Sequence, residues 1–236
     1  SAASDVYKRQ ALNEGEEKLK RSIELGVGQL KIGVSSTLCK YMLLPYLKEF
    51  IHRNPHISIS IECQSTNETL KLLDDDKIDI GLIGKPASLK TFNFYYLDNI
   101  EDIFVTTKDY LRNLSARGVK KSEILQNSTL MLLDKGNMTR KYIDDYLQEN
   151  QIHVKDSIDI SNMDLLIDFA KIGVGVACVI KSIVSKELAD GTLIEIPLGI
   201  PIHKREVGFA YKESSKLSTS LQTFIKFYES YTPEDF

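Results

Sequence analysis

Two stretches of the chain read alike: Lys77-Ile78-Asp79-Ile80-Gly81-Leu82-Ile83 and Lys171-Ile172-Gly173-Val174-Gly175-Val176-Ala177. Each leaves a lysine at the end of a short amphipathic segment and runs into an apolar string. The strings are shorter than a usual helix and rich in branched side chains, the signature of a strand buried on both faces. Ahead of them lie the helical patterns Glu68–Asp76 and Met163–Lys171, with Asn67 and Ser161 in equivalent capping positions. The repeat predicts two copies of one β-α-β-α unit.

Upstream of the first repeat, Leu30, Ile32 and Val34 alternate within a predicted strand Gln29–Ser35, and Ile57, Ile59, Ile61 and Cys63 alternate in another. Between them Leu43, Leu47, Phe50 and Ile51 share one side of a helix that Asn54-Pro55 ends. Pro45 belongs in its early turn or marks a second helix start. Phe94–Leu97 and Asp102–Thr107 read as further strands. The second copy comprises strand Thr129–Leu133, helix Met138–Asn150, strand Ser157–Ile160, helix Met163–Lys171 and strand Gly173–Ile180. Helix Ile183–Asp190, strands Leu193–Pro197 and Glu206–Tyr211, and helix Ser218–Tyr228 follow.

The expected class is therefore α/β, with parallel sheets in two Rossmann-like lobes joined by a two-stranded hinge. Lobe I is expected at 29–107 plus 207–230 and lobe II at 108–206, with the chain crossing near Thr107–Tyr110 and His203–Val207. Such a hinge permits closure around a ligand. Ala11–Leu25 reads as helix stopped by Gly26 and Gly28, and 11–28 as the tail of a longer helix. Ser1–Gln10 is expected to be a leader, non-native or disordered, outside the fold. Residues 231–236 form a tail.

The chain has 236 residues, 42% of them hydrophobic, enough for two small cores. Its net charge of −3 carries no basic excess, so DNA contacts are not expected from this segment. Cys39, Cys63 and Cys178 are odd in number and lack CxxC spacing, which favours a reducing, cytoplasmic setting. They read as packing residues, with redox sensing by Cys39 and Cys63 as the sharper alternative. No membrane span or signal-peptide stretch is evident.

Ligands of open α/β sheets bind beyond the carboxyl ends of strands, where helix N-termini offer free N–H groups and partial positive charge. Four turns qualify: Ser35-Ser36-Thr37, Gln64-Ser65-Thr66-Asn67, Lys135-Gly136-Asn137-Met138-Thr139-Arg140, and Ser161-Asn162. Taken singly, each reads as an ordinary helix cap. Together, at the ligand end of a duplicated fold, they predict a cleft for a small polar or anionic molecule, with Lys135, Arg140 and Lys85 adding charge. Enzyme signatures are missing: there is no GxSxG elbow, no phosphate-binding GxxxxGK[ST], and Pro55 breaks the helix that would align His52 with His56. No enzyme, cofactor or metal is expected.

The segments Gly28–Val34, Leu43–Phe50 with Asn54-Pro55, Leu72-Leu73 through Lys77–Ile83, Leu133–Arg140 and Phe169–Gly175 together resemble the sensing domain of LysR-type transcription regulators, over about Ala11 to Tyr228. The resemblance implies a type 2 periplasmic-binding-protein-like fold. It implies a small-molecule effector bound between lobes, and a homodimer or homotetramer with sensing domains side by side and antiparallel. DNA would be contacted only through an N-terminal winged helix-turn-helix that this sequence lacks. The effector residues it implies are Ser35, Ser36, Thr37, Ser65, Thr66, Asn137, Thr139, Asn162 and Arg140, beside Lys135 and Met138 from the turn itself. The competing reading is a transporter's solute-binding protein on the same fold; a two-lobed enzyme ranks behind it.

Overall fold

The computed structural model describes residues 28–89, 91–213 and 217–233. The expected leader and nearly all of the expected 11–28 helix lie outside them, as do residues 234–236 of the tail. Gly28, expected to close that helix, opens strand β1.

Two five-stranded sheets form two lobes. Lobe I is ordered β2(Ile57–Cys63)-β1(Gly28–Val34)-β3(Ile80–Gly84)-β10(Arg205–Lys212)-β4(Phe92–Ile100). Lobe II is ordered β7(Asp156–Ile160)-β6(Thr129–Leu133)-β8(Val176–Ile180)-β5(Asp102–Thr106)-β9(Ile194–Glu195). In each, three parallel strands are followed by an antiparallel fourth, and the fifth pairs antiparallel with the fourth and so runs with the first three. The sheets are mixed rather than wholly parallel, because each lobe takes its fourth strand from across the hinge.

The first crossing lies at Glu101, between β4 and β5, and not at Thr107–Tyr110. Asp102–Thr106, expected in lobe I, pairs with β8 and β9 of lobe II. The return crossing ends at Arg205, which pairs with Ile100. Both crossings therefore meet at one point, the base of the space between the lobes.

Helices join the strands: α1(Leu44–Arg53), α2(Thr66–Asp74), α3(Lys108–Ala116), α4(Met138–Glu149), α5(Met163–Lys171), α6(Ser185–Asp190) and α7(Thr219–Ser230). Before α1 the backbone turns at Ser36–Leu38 and then widens into a π-helical turn, Cys39–Leu43, where Leu44 N–H bonds to Cys39 O five residues back. Pro45 explains the widening. It has no N–H to give the preceding turn, and a π-bulge spares the carbonyl its ring would strike. Sequence periodicity also ran ahead of the strands: residues 173–175 turn before β8, with Gly173 at φ 79°, and 77–79 precede β3.

Lobe I is held by aromatic side chains. Phe209 of β10 meets Tyr46 of α1 edge-on and Phe224 of α7 edge-on, and stacks on Tyr228. Phe50, Phe209 and Phe224 are fully buried, each contributing about 1.5–3 kcal/mol by leaving water. One apolar cluster runs from these residues through Leu38 and Met42 into Met163, Leu166 and Ile167 of lobe II, so the lobes share part of their core. Across the same seam Lys40 Nζ lies 2.8 Å from Asp164, which also accepts from the Tyr41 hydroxyl. Among the described residues no helix is long and apolar enough to cross a membrane.

Candidate functional site

The four predicted turns all cap helices. Ser35 Oγ accepts from Leu38 N–H and Ser65 Oγ from Glu68 N–H, both at 3.3 Å. Asn137 Oδ1 accepts from Thr139 N–H at 2.9 Å, and Asn162 Oδ1 from Leu165 N–H at 3.0 Å. The repeat's capping residues are thus Ser65 and Asn162; Asn67 lies inside α2 and Ser161 precedes its cap. Each cap satisfies one of the orphan N–H groups of its helix and leaves others facing outward.

Three of these turns open into one cleft of about 840 Å³ between the lobes. Ser35, Thr37, Ser65, Thr66 and Asn67 line it from lobe I, and Asn137, Met138 and Thr139 from lobe II. Such a volume suits a small metabolite. Four expected residues are elsewhere. Ser36 and Lys135 are exposed outside the lining. Asn162 is occupied as a cap, and its neighbour Met163 reaches the cleft instead.

Arg140 is the clearest departure. Its side chain is 7% exposed and points into lobe II, where Nε bonds Asp144 at 2.8 Å, and Nη1 bonds Asp159 at 2.6 Å and Leu133 O at 2.8 Å. It ties α4 to the ends of β6 and β7. Burial opposes the charge of Arg140, but the hydrogen bonds it donates to Asp159 and Asp144 outweigh it and raise its pKa. It is a structural staple with no free donor to offer a cleft ligand through these nitrogens.

Among the cations that do line the cleft is Arg205, with Lys204 and Glu206 beside it. Arg205 holds Asp102 through Nε at 2.8 Å and Nη2 at 2.9 Å, and Nη2 reaches Thr139 Oγ1 at 3.3 Å. Its guanidinium lies over the Tyr142 ring, 5.2 Å from the centroid. Asp102 is wholly covered, and burial pushes its carboxyl pKa up against the pull of Arg205. Lys204 pairs with Glu101 at 3.0 Å, and Lys85 with Glu206. Lys85, Lys141, Lys204 and Arg205 thus face Asp145 and Glu206 in the lining, while Glu101 and Asp102 sit behind it. The formal charges nearly cancel, so any preference for anions comes from the outward N–H groups and the geometry of the cations. Among the described residues no group of three or more His, Cys, Asp or Glu could hold a metal.

The expected crossing near His203–Val207 passed over Arg205 as a ligand residue. Only the position of both crossings at one point makes Arg205 a floor.

The family model for the LysR substrate binding domain matches residues 24–232. The chain belongs to the LysR family. This LysR domain is 23% identical over 201 residues to the Escherichia coli K12 HTH-type transcriptional regulator YeiE, covering 85% of this chain and 67% of that one. Among solved structures it resembles the Synechocystis PCC6803 CcmR regulatory domain in complex with 2-PG, at TM-score 0.72 and 18% identity, covering 85% of this chain and 95% of that one. It also resembles the effector binding domain of QuiR in complex with shikimate, at TM-score 0.67 and 16% identity, over 85% and 94% of the two chains. The fold is the type 2 periplasmic-binding-protein-like fold, as expected from the sequence. The chain is the effector-sensing regulatory domain of a transcription regulator, and the solute-binding-protein reading falls away.

Proposed function

We propose that this LysR domain binds a small anionic or polar metabolite in the cleft between its lobes, and that binding sets how the lobes and the subunits pack. One observation carries the reading: capped helix N-termini from two lobes open on the same cleft, over an arginine at the point where both hinge strands cross. An acidic group there meets outward N–H groups from both sides. Thr37, Thr66 and Thr139 supply hydroxyls, since the N-cap side chains are already engaged. CcmR and QuiR regulatory domains were solved with 2-PG and shikimate respectively. Both names serve as first probes for this chain.

The effector acts by differential affinity for two lobe arrangements. DNA is contacted by a winged helix-turn-helix in the full regulator, in the cytoplasm, and no catalysis accompanies binding. Dimerisation has its own support. Leu44 and Ile51 on α1 are 51% and 46% exposed; Leu165 and Phe169 on α5, with Ile172 just beyond it, are 44%, 39% and 74% exposed. β2 and β7 are the outer strands of their sheets. An antiparallel homodimer would cover the first stripe with the partner's second, and two dimers could form a tetramer.

Thermal melting of the domain with 2-PG, shikimate and other small carboxylates or phosphorylated acids tests the ligand reading. A saturable rise in Tm with at least one acid, absent for its uncharged analogue, supports it. A flat response across the panel opposes it.

A further inference from the structure

Cys39 and Cys63 meet beside the lobe I half of the cleft. Cys63 ends β2 in register with Val34, the last residue of β1, and Gln64 N–H continues the ladder to Val34 O at 2.9 Å. Cys39 lies one turn beyond β1, its N–H bonded to Ser35 O at 2.8 Å. The chain thus brings the two residues to the same strand end from either side of it, with Cys63 near enough to push the Cys39 thiol pKa up. Cys63 is exposed, Cys39 half-buried, and Cys178 buried in lobe II.

We propose that Cys39 and Cys63 are a thiol modification site that closes reversibly to a disulfide under peroxide. The exposed Cys63 thiolate attacks hydrogen peroxide; the O–O bond breaks, Cys63 becomes a sulfenic acid, and the departing hydroxide takes the Cys63 proton to leave as water. Cys39 thiolate then attacks that sulfur. The S–O bond breaks, and the hydroxide leaves with the Cys39 proton as a second water. Two electrons pass from the thiols to the peroxide. Burial and the neighbouring Cys63 push the Cys39 thiol pKa up, which suits it to the second, resolving role.

The bond would staple the π-helical turn after Ser35–Thr37 to the strand end before Ser65–Thr66, fixing the two turns that form lobe I's share of the cleft. That consequence rests on the cleft reading; the disulfide itself does not.

The test exposes the reduced full chain to hydrogen peroxide and titrates thiols after denaturation. The expected count falls from three to one, dithiothreitol restores it, and non-reducing peptide mapping joins the Cys39 and Cys63 peptides within one chain, lighter by two hydrogens. In Cys178→Ser the count falls from two to none, and in Cys63→Ser no linked peptide forms. Hydrogen exchange of the Gln64–Thr69 amides slows in the oxidised chain. A wild type that keeps all three thiols, that carries Cys63 only as higher oxides, or that links Cys63 only between chains overturns the site. An intact bond with unchanged exchange overturns the stapling alone.

Discussion

Arg205 of lobe I grips Asp102 of lobe II with two nitrogens, at 2.8 and 2.9 Å, at the point where both connecting strands cross. Asp102 is wholly buried, so its charge depends on that partner. Arg205→Ala leaves an uncompensated carboxylate and is expected to cost about 3–5 kcal/mol in urea unfolding. The pair replaced together, Asp102→Leu with Arg205→Met, should recover most of it, because apolar substitutes of similar volume escape the desolvation cost.

Thr139 is the cleft residue that both donates and accepts: its N–H goes to the Asn137 cap and its Oγ1 takes Arg205 Nη2. Thr139→Ala should weaken the strongest-binding acid of the panel by about tenfold in calorimetric titration, the worth of one charge-assisted hydrogen bond of about 1.5 kcal/mol. Ser36→Ala should leave affinity unchanged, since Ser36 is exposed outside the cleft lining.

Arg140→Met should act oppositely. It removes the staple between α4 and the ends of β6 and β7, and orphans Leu133 O with two carboxylates nearby. The expected loss is about 3 kcal/mol of stability, with ligand affinity of the folded protein unaltered when titrated well below the melting temperature.

Acid should loosen the seam between lobes. Lys40, then Tyr41, hold the Asp164 carboxyl below the usual carboxylate range, and Lys204, then Lys181, do so for Glu101. A carboxylate whose folded pKa is depressed adds stability above its unfolded value, about pH 4, and loses it as pH falls through the lower folded value. Asp102 runs the other way, its raised pKa favouring the fold as it protonates. Small-angle scattering across pH 5 to 3, an interval set about those carboxylate values, should show the radius of gyration growing. Asp164→Asn should already be expanded at the upper end and respond less.

Ile172, 74% exposed one step past α5, is the most exposed large apolar side chain of its stripe. If the proposed dimer forms through this stripe, Ile172→Glu should yield a monomer in sedimentation without altering the melting temperature of the monomer. An unchanged sedimentation coefficient would place the subunit contact elsewhere.

Much of the architecture was legible because alternation and turn residues mark strand ends directly. The repeat at Lys77 and Lys171 marks β3 and β8, which take equivalent places beside β1 and β6 in the two sheets. The first crossing was not legible: only Glu101 separates β4 from β5, with no glycine, proline or polar run to mark a change of sheet. In the cleft, Ser35, Thr37, Ser65, Thr66, Asn137, Met138 and Thr139 were readable as helix starts. Arg140 misled because a turn's last residue is already helical, and one step along a helix rotates a side chain by about 100°, here from the cleft rim into the lobe. Arg205 comes from the far end of the chain, and its partner Asp102 is 103 positions away, a pairing no local pattern encodes.

The most direct test of the cleft is amide chemical-shift mapping of the deuterated domain titrated with small carboxylates and phosphorylated acids. Saturable shifts should converge on the amides of Thr37, Thr66, Asn67, Met138 and Thr139, from both lobes at one ligand concentration. Shifts confined to a single lobe, or spread over outer surfaces such as Lys135 and His153 while those five amides stay still, would contradict the account.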